Sequence, residues 1–151
     1  MRSARAISAL GNSGVKRSLV EALELAIAHD DLERVESLLE LVDALPPGRL
    51  TPWLRGQRDR FHARLDASRG EHAPVERRFR RAEALFDDLG LVFDLAVVRL
   101  EHAEWLARQG RADEAGSLLR AARQTFEALE AMPWLERLQA SETPPRAEVS
   151  A

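Results

Sequence analysis

Displacing the sequence by 40 residues against itself brings Ala63 onto Ala103, Gly70 onto Gly110, Phe79 onto Leu119, Ala82 onto Ala122, Phe86 onto Phe126 and Leu89 onto Leu129. Small, turn and large apolar positions coincide together. A further step back pairs Leu39 with Phe79 and Val35 with Val75, and puts Asp30 in the place of the turn glycine, so the first copy is weaker. In a repeat of this length no unit can bury its apolar face alone, and each must pack on its neighbours. The period predicts an all-α chain, an α-solenoid of about three antiparallel helix hairpins. Ala63 and Ala103 then suit a close approach of two helices.

Composition agrees with helices and little else. Tyr and Cys are absent, aromatic residues make up 5% and charged residues 31%, and strong helix formers dominate. β-Branched residues are few and rarely alternate with polar ones, so a sheet has nothing to build from. The expected units are 17–46, 52–90 and 92–130, within a repeat domain over 17–140. Thr51-Pro52 has the form of an N-cap followed by proline in the first turn, and Pro74 opens the next helix in the same way. A short helix over 133–140 is expected to cap the last hairpin with Trp134 and Leu135. Residues 1–16 read as a flexible arm and 141–151 as a disordered tail. At the other end, Leu19, Val20 and Ile27 would present an apolar edge suited to self-association through the N-terminal helix pair if the arm leaves them bare.

In Ala103, Gly110, Ala115 and Ala122 the spacings resemble the tetratricopeptide repeat superfamily: a small residue on the first helix, a turn glycine, and two alanines on the second helix. The resemblance is strongest over 93–130, fair over 53–90, where Val75 replaces an alanine, and weak over 17–46. The period of 40 exceeds the family's usual ~34, and Glu127 stands where the family's terminal proline is usual. The segments Arg81–Phe86, Glu101–Leu106 and Pro133–Arg137 are similar to the C-terminal regions of bacterial proteins that join a class III cyclase to an AAA-type ATPase, and of related ATPase-containing transcriptional regulators. The resemblance implies a non-catalytic, cytoplasmic module that binds a protein or peptide, or the upstream domains of a larger parent protein. It also implies a concave surface lined by the first helix of each unit. Carried onto this chain, the ligand-facing places are Gln57, Arg60, Arg64 and Ser68 in the middle unit and Val97, Leu100, Glu104 and Arg108 in the last.

The chemistry of sites argues against catalysis and cofactors. Absence of Cys removes thiolate metal sites and a Cys nucleophile. Gly11-Asn-Ser-Gly-Val-Lys-Arg-Ser18 looks superficially like a phosphate loop, but one residue separates Gly14 from Lys16 and Arg17 stands where Ser or Thr is required. His62 and His102 occupy equivalent places, and equivalent atoms of stacked hairpins lie about 9–10 Å apart, too far to share a metal ion. No enzyme, metal site or cofactor is expected. No apolar run reaches the ~20 residues needed to cross a membrane.

The formal charge of −3 conceals a pattern: residues 18–45 carry a net −7, residues 55–81 a net +5 and residues 82–138 a net −5. Within the basic band, Arg77, Arg78, Arg80 and Arg81 form a candidate patch. They admit a second function, a helical domain binding nucleic acid through the middle repeat. The plainer reading is that they solvate an exposed face and pair with neighbouring carboxylates. The aromatic residue between them, Phe79, belongs to the apolar stripe of its helix rather than to a base-stacking face, so that reading is preferred.

Overall fold

A computed structural model describes residues 13–143 and contains seven helices and no strand among them. The chain divides between Leu89 and Gly90 into two compact units. The first contains α1 (Ser13–Ala28), α2 (Leu32–Asp43), α3 (Pro52–Ser68) and α4 (Val75–Asp88). The second contains α5 (Val92–Arg108), α6 (Ala112–Ala128) and α7 (Met132–Glu142).

The helix ends follow local chemistry. Asp31 caps α2 by accepting from the Arg34 amide at 3.2 Å, and Thr51 caps α3 by accepting from the Leu54 amide at 3.3 Å. After α1, α3, α5 and α6 the chain turns through a left-handed residue: Asp30, Gly70, Gly110 and Glu130. At each, the following amide reaches back across the last turn, from Asp31 to the Ala26 carbonyl, Glu71 to Asp66, Arg111 to Leu106 and Ala131 to Phe126, at 2.8–3.0 Å. This closure satisfies carbonyls that a helix end would otherwise leave orphaned.

In the first unit, Leu19, Leu23 and Ala26 of α1, Val35, Leu39 and Val42 of α2, and Leu54, Phe61 and Leu65 of α3 form one buried cluster. On α4, Val75, Phe79, Ala82 and Phe86 make a single buried stripe. In the second unit α6 repeats that stripe with Ala115, Leu119, Ala122 and Phe126. By contrast α3 and α5 are buried on nearly every side, α5 from Leu95 through Leu106 with few interruptions. Trp134 of α7 stacks on Phe126 with ring centroids 5.8 Å apart, and Phe93 meets both rings edge-on. These ring contacts hold α7 against α5 and α6, and Leu138 of α7 is fully buried.

Several expectations need correction. The first described helix begins at Ser13, so residues 13–16 belong to α1 and not to an arm; residues 1–12 lie outside the described residues. The last helix runs to Glu142, past the expected end at 140, and residues 144–151 also lie outside the described residues. Leu89 and Leu129 are 41% and 48% exposed: they occupy helix C-caps, beyond the last turn that faces the core. The apolar edge expected on α1 is largely consumed, because Leu19 is buried and Val20 and Ile27 pack against the first core, leaving Leu25 as the exposed large apolar residue of that helix.

Helices α3 and α4 approach closely at Gly56, inside α3. A Cβ there would lie 2.5 Å from the ring of Phe86, which is fully buried. Gly56→Ala would gain about 1 kcal/mol of helix propensity, but the displaced ring costs about 1–3 kcal/mol, so we expect a net loss in chemical denaturation and a larger loss for Gly56→Val. Glu130 holds φ at +52° without being glycine. Glu130→Gly should stabilise the chain by about 1 kcal/mol, read as a rise in melting temperature.

Candidate interaction surfaces

The arginines of the basic band are distributed among carboxylates of the first unit. Glu24 of α1 receives both Arg60, through a short charge-assisted hydrogen bond, and Arg64, at 2.9 Å. The Arg60 side chain is only 4% exposed; it also donates to the Gln57 amide oxygen at 3.1 Å and lies over the Phe61 ring at 4.6 Å. On the α2 side, Asp43 faces His62 at 3.0 Å and Arg58 at 3.9 Å, and Glu36 accepts a two-pronged contact from Arg69 at 2.9 and 3.1 Å. Across the α3 and α4 pair the polarity reverses. The only carboxylates on α3, Asp59 and Asp66, face Arg81 at 3.7 Å and Arg78 at 2.8 Å.

These contacts revise the proposed concave groove. Gln57 and Arg60 are 3% exposed; Glu24 of α1 takes the Arg60 guanidinium, which also donates to Gln57. Arg64 is partly covered by the same carboxylate, while Ser68 is exposed. Val97 and Leu100 are buried parts of α5 and closed to a ligand, as expected of apolar side chains on a helix covered nearly all round. Glu104 is held by Arg137 of α7 at 2.9 and 3.0 Å and accepts from the Ser141 hydroxyl at 3.2 Å; Arg108 is exposed. Of the groove residues, Ser68 and Arg108 are thus the open ones, with Arg64 and Glu104 available only in part.

In the basic patch, Arg78 is turned inward to Asp66, leaving Arg77, Arg80 and Arg81 on the outer face of α4. There they border an open groove of about 610 Å³ with Ala73, Glu76 and Ala84. A smaller cleft of about 240 Å³ lies between α2 and α3, bordered by Glu36, Asp43, His62 and Arg69 among others. No group of three or more His, Asp or Glu among the described residues is placed to hold a metal ion. Gly14 and Lys16, the supposed phosphate-loop residues, lie in the first turns of α1.

The carboxylate partners Glu24, Asp59 and Asp66 do not stand out as site residues in the sequence. A signal existed: Glu24, Arg64 and Glu104 stand at successive 40-residue steps, so the repeat register alternates charge at one place on the first helix of each unit. Isolated carboxylates on the arginine-rich α3 were a second signal.

Burial alone would raise the Glu24 carboxyl. The attraction of Arg60 and Arg64, with their hydrogen bonds, outweighs it and holds the group below its ordinary value near 4.5. Because the folded value is depressed, the stabilisation is present above the unfolded value and is lost as pH falls through the folded one. Glu24→Gln should therefore cost about 1–2 kcal/mol at neutral pH, after allowing for partial solvent screening. The gap between the variant and the unaltered chain should narrow in denaturation series run below about pH 4.5.

Against known proteins, no family model, curated protein or solved structure matches this chain.

Proposed function

We propose that this chain is a non-catalytic protein-interaction module made of about three tetratricopeptide-like helix hairpins with a C-terminal capping helix, an α-solenoid serving as a regulatory part of a larger bacterial signalling ATPase, cyclase or transcriptional regulator in the cytoplasm. One observation carries the reading. Helices α3 and α5, which stand 40 residues apart, are buried on nearly every side, whereas their partners α4 and α6 bury one stripe each at matching positions. That asymmetry suits hairpins whose first helices are sandwiched and whose second helices face outward. The left-handed residues Asp30, Gly70 and Gly110 recur at the same interval and support it further.

The rival reading, a nucleic-acid-binding domain, loses support from the ion pairs that occupy Arg58, Arg60, Arg64, Arg69 and Arg78, because each guanidinium paired internally is less available to a phosphate. The expected result of affinity capture from the native cells, followed by reconstitution from purified components, is a defined complex seen by light scattering and calorimetry. Failure to reconstitute any complex, together with a monomeric solution state, would overturn the proposal; so would nucleotide hydrolysis by the purified chain.

A further inference from the structure

The outer face of α4 is unlike the other charged surfaces of the first unit. On α3 and its C-cap, Arg58, Arg60, Arg64 and Arg69 reach carboxylates of α1 and α2. On α4, Arg77, Arg80 and Arg81 all project onto one face, with Arg80 and Arg81 side chains 64% and 58% exposed. Their spacing is i, i+3 and i+4, which puts neighbouring side chains about 5–6 Å apart at their bases. Ala73 and Ala84 stand on the same face at either end, and their small side chains leave the open groove of about 610 Å³.

We propose that this face docks a short acidic helical segment of a partner protein, one carrying Glu or Asp at i, i+3 and i+4. The inference rests on the interaction-module reading and supplies its surface and the partner's chemistry. The mode of contact already exists on the face in miniature. One oxygen of Glu76, Oε1, accepts from both the Nε of Arg80, at 3.2 Å, and a terminal nitrogen, at 2.7 Å, so arginine's adjacent donors already engage a carboxylate here. A ladder of carboxylates at helical spacing would meet Arg77, Arg80 and Arg81 in register, and the two alanines let the second helix approach closely.

A nucleic acid fits this face less well. The arginines span about 6 Å along the axis, and a turn and a half further on the same helix exposes Asp87 and Asp88. Duplex DNA carries a charge every ~1.7 Å and would run from the arginines onto those carboxylates, whereas a short acidic segment stops before them. The groove lining contains no aromatic side chain on which a base could stack.

The test is fluorescence anisotropy of the full chain with a labelled helical peptide of Ala and Glu bearing the i, i+3, i+4 pattern, beside its Gln counterpart and labelled duplex and single-stranded DNA. We expect binding of the Glu peptide only, weakening as salt rises. Combined Arg77→Ala and Arg80→Ala should weaken it about tenfold or more, with an unchanged melting temperature. Adding Arg81→Ala should weaken it further; the double variant is the primary one because Arg81 also faces Asp59. Glu76→Gln removes the resident competitor and should tighten binding. The proposal is overturned by equal binding to the double variant, by no binding of the Glu peptide, by tighter binding of either DNA lost in the same variant, or by salt-dependent self-association that accounts for the signal. If the double variant still forms the complex reconstituted from native components, the module reading stands and this surface alone is excluded.

Discussion

Helices of this chain are 11 to 17 residues long, close to the length below which a helix does not persist alone in water, so each must pack against another to exist. Within the units, the three-residue links from α1 to α2, α5 to α6 and α6 to α7 each turn on a residue with positive φ, Asp30, Gly110 and Glu130, and Gly70 plays that part in the six-residue link from α3 to α4. The rest of each unit follows from that. Once α3 turns back as α4, Phe86 lands on Gly56 and Val75, Phe79 and Ala82 are pressed against the same helix pair. In the second unit the turn at Glu130 lays Trp134 on Phe126. Asp30 and Glu130, at the two ends of this series, tolerate a strained conformation that the interior turns assign to glycine.

Apolar packing does not explain why α3 is covered nearly all round although it carries Gln57, Asp59, Arg60 and Asp66 among its buried residues. These groups are buried in company. Arg60 shares Glu24 with Arg64, Asp59 faces Arg81 and Asp66 faces Arg78. Burying an isolated charge is prohibitive, whereas a paired and hydrogen-bonded one is tolerable at a net cost or gain of a few kcal/mol, about the size of one packing defect. Much of the basic band over 55–81 is thus paired within the first compact unit: Arg58, Arg60, Arg64 and Arg69 reach carboxylates of α1 and α2, and Arg78 and Arg81 face carboxylates of α3. On α4, Arg77, Arg80 and Arg81 nevertheless remain exposed.

Much of the fold was legible in the sequence because it is local. The recurrence of Ala63 and Ala103, of Gly70 and Gly110, and of Phe86 and Phe126 placed the turns and the buried stripes, and Thr51-Pro52 placed a helix start to the residue. Errors gathered where a residue's environment depends on something other than its own periodicity. Leu89 and Leu129 fit the stripe by spacing but sit at C-caps, and Leu19 belongs to a core completed by α2 and α3. The groove positions rest on resemblance, which carries position but not burial; Arg60 and Val97 lie on covered sides of α3 and α5.

The sequence by itself determined that this chain is helical, where its helices reverse, and which apolar side chains form each stripe, because those properties arise from interactions among residues a few positions apart. Only the tertiary structure decided which charges are neutralised and which face the solvent. Glu24 meets Arg60 and Arg64 from 36 and 40 residues away, and the same arginines would have made a basic surface had α1 packed elsewhere. Charge is a property of the residue, but availability of charge belongs to the arrangement, since a guanidinium held by a carboxylate in a poorly hydrated interior presents almost none of its field to a partner.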